Sequence, residues 1–66
     1  MESNNQKLRE ARQRCQWTME QASERIGVDT RTYIRWERGK QHPGLRHMRL
    51  LCELFQTTPE ELGFPI

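Results

Sequence analysis

Residues 17–40 read WTMEQASERIGVDTRTYIRWERGK, and the fold turns on how this stretch is parsed. Thr18 is followed three residues later by Gln21, the spacing of a capping box in which each side chain satisfies an otherwise unpaired amide at a helix start. Ala22 and Ile26 then supply an inward face, and Gly27 can take the left-handed conformation that stops a helix. Asp29 is a good N-cap for the next helix, which runs to about Arg38 before Gly39 terminates it. On that helix Tyr33, Trp36 and Glu37 lie on one side, whereas Arg31, Arg35 and Arg38 fall within a narrow arc on the other. The pattern predicts two short helices joined by a tight glycine-containing turn, the second packing through one face and cationic on the other.

Working outward, Leu8, Ala11 and Cys15 recur at helical spacing and predict a first helix from about Asn5 to Cys15, with residues 1–4 frayed. Lys40 to Gly44 contains Pro43 and reads as a loop. Leu45, Met48, Leu51, Cys52 and Phe55 then give the inward row of a fourth helix, with Leu50 and Leu54 beside it in excess of what a core needs. Thr58-Pro59-Glu60-Glu61 combines an N-cap threonine, a proline at the first helical position and a capping-box glutamate, predicting a short fifth helix that carries Leu62 inward. No apolar alternation of the strand type occurs. The expected architecture is all-α, with five helices in one domain over residues 1–66 and a helix-turn-helix at about 18–38.

At 66 residues the chain suffices for one small core and excludes two. No apolar run approaches the roughly 20 residues of a membrane span, and residues 1–16 are too polar for a signal-peptide core, so a soluble cytoplasmic protein is expected. The net charge of +2 is unevenly placed: from Arg31 to Arg49 six cations face the single acid Glu37, while the remainder of the chain is net negative. Concentrated positive charge is the footprint of a phosphate-binding face, although a solvated helix face has the same composition.

The stretch quoted above resembles the lambda-repressor-like, Cro-type regulators that include the xenobiotic-response-element type, and the resemblance extends from about Leu8 to Leu62. Trp36-Glu37-Arg38-Gly39-Lys40 is its most specific element. Ser23 fits the crossing of the two helices, where a small residue is required, with Ala22, Ile26, Val28 and Trp36 around it. Two departures are visible: Met19 stands where the family often has glutamine, and Tyr33 where it more often has an aliphatic residue. The resemblance implies a prokaryotic regulator that binds double-stranded DNA. It implies base reading by Thr30, Arg31, Thr32 and Arg35, with the arginines pairing to guanine O6 and N7. Arg38 and Lys40 fall where the helix leaves the groove and suit phosphates, with Thr18, Gln21, His42 and Arg46 as further phosphate ligands. The family commonly pairs the glutamate at Glu37 with an arginine of the first helix, a position that Arg12 matches.

Other readings of the same residues are weaker. Asp29 reads as a cap rather than a base reader, because its carboxylate serves free amides at the helix start. Trp17 and Trp36 suit core packing better than stacking on unpaired bases. Cys15, His42, His47 and Cys52 lack metal-ligand spacing, so neither a metal nor a cofactor is expected. No nucleophile-base pair, carboxylate dyad or phosphate loop suggests an enzyme. A protein-interaction module or antitoxin-type domain on the same fold remains the alternative. Leu50 and Leu54, with Phe64 and Ile66, are expected to support a homodimer or contact a downstream domain, which the abrupt end of the chain would suit.

Overall fold

Three of the four helices begin at a side-chain cap, and the caps fix where the chain bends. The computed structural model describes residues 5–64. Asn5 opens α1 (Gln6–Arg14), its Oδ1 accepting from the Leu8 amide at 3.0 Å. Thr18 opens α2 (Met19–Ile26) with both halves of the capping box formed, Gln21 N to Thr18 Oγ1 at 3.1 Å and Thr18 N to Gln21 Oε1 at 2.9 Å. Gly27 ends α2 at a φ of 94°, a region that costs glycine no steric clash. Asp29 opens α3 (Thr30–Glu37), accepting from Thr32 N at 3.4 Å. The last helix, α4 (Leu45–Phe55), begins at Gly44 without a side-chain cap. No strand occurs among the described residues, and no helix there is long and apolar enough to cross a membrane.

The helices pack on one apolar cluster formed by Leu8 of α1, Ala22 and Ile26 of α2, Tyr33 and Trp36 of α3, Leu51 of α4, and Leu62 and Phe64 beyond it. Ala11, Trp17, Met19, Val28, Met48, Cys52, Leu54 and Phe55 pack around its edge. Met19 and Tyr33, the two departures from the family pattern, both contribute to this packing. Trp17 lies between α2 and α4, 5.9 Å from the Phe55 ring, with the Arg25 guanidinium 4.5 Å from its own ring centre.

A buried ion pair crosses the cluster. Glu37 is 1% exposed, and Arg12 of α1 reaches it through Nε to Oε2 at 2.6 Å and Nη2 to Oε1 at 3.3 Å. The remaining guanidinium nitrogen, Nη1, donates to the Trp17 carbonyl at 2.8 Å. A second cation, Arg9, stands 3.8 Å from Oε1, and the Asn5 amide donates to the Glu37 carbonyl at 2.7 Å. The hydrogen bond to Glu37 raises the Arg12 pKa above its ordinary value against the opposing effect of burial. The guanidinium therefore keeps its charge far into alkali. Beside it, burial and then the charge of Glu37 push the Tyr33 phenol well up, so the hydroxyl stays neutral far into alkali.

Several sequence expectations are corrected here. The fifth helix is absent: residues 59–63 form a single hydrogen-bonded turn, with Leu62 N to Thr58 O at 3.1 Å and Phe64 N to Pro59 O at 3.0 Å. Thr58 does cap it, accepting from Glu61 N at 3.3 Å, and Leu62 is buried as expected. Propagation stops at Gly63, whose φ is 81° and where a Cβ would lie 2.5 Å from Asn5 Oδ1. One turn cannot repay the cost of nucleating a helix. Leu45, placed in the inward row, is 71% exposed, whereas Leu54, read as surplus, packs on the core. At about 100° per residue Leu54 lies about 60° from the buried Leu51 and Leu45 about 120° away. Phe64, offered as a contact surface, is 2% exposed and belongs to the core. Cys15 and Cys52 are half-buried free thiols. Residues 1–4 and Ile66 lie outside the described residues.

Removing one member of a buried pair leaves the other desolvated and alone. Arg12→Met or Glu37→Gln is therefore expected to cost about 3–5 kcal/mol, and the double variant less than the sum. Denaturant unfolding, with a stabilising osmolyte where a single variant is unfolded, gives the coupling. A value no larger than the roughly 0.2–1 kcal/mol of exposed pairs would show that the pair does not hold α1 to α3.

Candidate nucleic-acid interface

With Tyr33, Trp36 and Glu37 committed to the core, α3 has one outward side, and its cations are there. Arg31, Arg35 and Arg38 are exposed. Among the described residues the ion pairs are those of Arg9 and Arg12 with Glu37. The cations from Arg31 to Arg49 take no part in them. Lys40 is exposed, and its amide returns to the Arg35 carbonyl at 3.0 Å, so the loop after α3 is held against the end of that helix. Arg46 and Arg49 are exposed on α4, and His42 is exposed with its ring 6.0 Å from Phe64. Repulsion within such a set is tolerable only because water and salt screen it, and the same charges are available to an anionic partner.

The threonines differ from the arginines. Thr32 is half-buried and gives its amide to the Asp29 cap. Thr30 is half-buried, its Oγ1 lying 3.2 Å from Ser23 Oγ, which in turn donates to the Glu20 carbonyl at 2.8 Å. Thr18 and Gln21 are exposed at the start of α2, their side chains bonded to each other's backbone. The sequence reading passed over the Ser23–Thr30 contact, the seat of Arg25 on Trp17, and Arg49. The first joins residues across the turn between α2 and α3, and the second reaches from α2 back to the residue before its cap, so helical spacing signals neither. Arg49 was legible only as one more cation in the basic window. No group of three or more His, Cys, Asp or Glu comes together among the described residues.

Asp29 is the one acid at the entrance to α3. Hydrogen bonding from Thr32, with a smaller contribution from the charge of Arg31, holds its carboxyl below its ordinary value.

A family described as helix-turn-helix matches residues 8–62. The chain belongs to the lambda-repressor-like, Cro-type helix-turn-helix family. Over 59 residues the chain is 32% identical to the HTH-type transcriptional regulator AnsR of Bacillus subtilis (strain 168), covering 89% of this chain and 51% of that protein. The chain thus spans about half the length of this curated relative. No solved structure gives a match.

The Asp29 cap carries a pH dependence whose sign is fixed. A carboxyl held below 3.8 in the folded state contributes stability that is present above that value and is lost as pH falls through the lower, folded one. Thermal melts should show Asp29→Ala below wild type at neutral pH and Asp29→Asn between them, because asparagine keeps a capping oxygen. The gap between wild type and Asp29→Ala should close in acid. A gap unchanged at about pH 2 would mean that the charge has no part in the cap.

Proposed function

We propose that the chain is the DNA-binding domain of a transcriptional regulator, which reads double-stranded DNA by laying α3 in the major groove. The observation that carries this reading is the outer arc of α3: Arg31, Arg35 and Arg38 are exposed on the helix whose other side is packed and ion-paired. Arg31 and Arg35 read guanines bidentately, and Thr30 and Thr32 complete the set of base readers. Arg38, Lys40, His42, Arg46, Thr18 and Gln21 hold phosphates, giving affinity and register without sequence information. The regulatory role is supported by family membership and by the likeness to AnsR. On this reading residues 1–66 act as one binding domain in the cytoplasm, without catalysis.

One recognition helix spans only a few base pairs, so two copies are proposed on half-sites about one DNA turn apart. Leu50, at 36% exposed, is the residue of the original pair left to make the contact, since Leu54 is packed on the core.

Selection of bound duplexes from a random library should return one enriched site containing guanines. Arg35→Ala should weaken binding to it by about 1–3 kcal/mol and relax one base preference. Lys40→Ala should weaken all sequences alike and lower the salt slope by about 1. An unchanged base preference in Arg35→Ala would remove that residue from the readout, and no enriched site at all would overturn the function.

Sedimentation on a palindromic duplex tests the assembly separately. Two copies should bind wild type's duplex and one copy should bind for Leu50→Glu, whereas one copy of the wild type per duplex would exclude the pair.

A further inference from the structure

The hydroxyl of Thr30 sits at the first position of α3, half-buried, 3.2 Å from the hydroxyl of Ser23. A hydroxyl has one proton to give and two lone pairs, so the direction of this bond decides what Thr30 can offer to a partner. The direction follows from Ser23. Its side chain is 1% exposed, which leaves no water to take its proton, and its Oγ lies 2.8 Å from the Glu20 carbonyl oxygen. A carbonyl oxygen only accepts. Two oxygens at that separation without a proton between them would set lone pair against lone pair, so the Ser23 proton lies on the line to Glu20. The Ser23–Thr30 bond then has only the Thr30 proton available to it, and Thr30 is the donor.

We infer that Ser23 is a specificity-determining residue that never touches DNA: by drawing the Thr30 proton inward it makes Thr30 an acceptor toward the groove, selective for adenine or cytosine. This rests on the DNA-binding reading above and deepens it. In the major groove cytosine N4 and adenine N6 carry amino protons, whereas guanine O6 and N7 and thymine O4 present lone pairs. An acceptor-only Thr30 pairs with the first two and repels the others. It also repels phosphate oxygens, so its partner is a base. The division is complementary to that of Arg31 and Arg35, whose guanidinium groups only donate.

The test is the same selection of duplexes from a random library, run on wild type, Thr30→Val and Ser23→Ala, with thermal melting of each. One position of the wild-type site should favour adenine or cytosine over guanine and thymine by roughly 2- to 10-fold, the worth of a single hydrogen bond. Thr30→Val keeps the methyl group and loses the acceptor, so it should abolish that preference and thereby mark the position. Ser23→Ala frees the Thr30 proton to turn outward, so at the marked position guanine or thymine should become acceptable while the positions read by the arginines stay unchanged. A marked position that Ser23→Ala leaves as it was, or a Thr30→Val variant that alters no position, overturns the inference and leaves DNA binding standing. A wild type that enriches no site overturns both. Thr30→Val changes only the half-buried edge of α3, so it keeps the inference falsifiable even if Ser23→Ala melts early.

Discussion

Glu37 is a carboxylate taken out of water on the inner side of α3, and the attitude of that helix depends on what replaces the water. A buried charge is tolerated only where donors of the right geometry surround it. Here Arg12 supplies two of them and spends its third nitrogen on the Trp17 carbonyl at the entrance to α2. One guanidinium therefore ties α1 to the end of α3 and to the segment that starts α2. Hydrophobic burial of Tyr33 and Trp36 would hold α3 against the core over a range of rotations, because apolar contact is not directional. The bidentate pair is directional. It selects one rotation, and that rotation turns Arg31, Arg35 and Arg38 outward.

The start of α3 is fixed by different means. Asp29 caps the Thr32 amide from outside, and the Ser23–Thr30 hydroxyl bond reaches the same turn from α2. Gly27, in the left-handed region at a φ of 94°, turns the chain between the two helices, and its amide closes α2 on the Ser23 carbonyl at 2.8 Å. Polar contacts thus govern both ends of α3, while apolar ones carry its middle. Tyr33 Oη and Trp36 Nε1 are buried there without hydrogen-bond partners. Each such atom is a cost of about 1–3 kcal/mol, and the large aromatic areas that come with them are what offsets it.

What the sequence disclosed was mostly what is local. The caps at Thr18 and Asp29 and the stop at Gly27 depend on residues three or four apart, and all three stand where the spacing puts them. The two faces of α3 were legible for the same reason. The Thr58–Glu61 signal was also local and its cap did form, yet one turn is all that fits before Gly63 closes on Asn5. That limit is set by a residue at the other end of the chain, where no window of sequence looks. Leu45 and Leu54 were exchanged because the row was counted from the start of α4, whereas the axis of burial runs through Leu51. Ser23 was read as small, which is why it fits the crossing. Its hydroxyl, which joins residues seven apart across a turn, had no periodicity to announce it.

On the proposed DNA-binding reading, these two kinds of support imply that stability and specificity are separable at one end of α3 and inseparable at the other. Near Glu37 the rotation of the helix and the integrity of the core rest on the same pair, so a change there reduces the folded population and every contact made by the outer arc falls together. Such a loss is uniform across DNA sequences, and it leaves the number of neutralised phosphates, and hence the salt slope, as it was. Near Thr30 the core is already complete. The Ser23 hydroxyl adds no apolar area, and what it controls is the placement of one proton on one side chain. A protein of this size, with stability of only several kcal/mol in total, risks less of its fold by a change at that end than at the other.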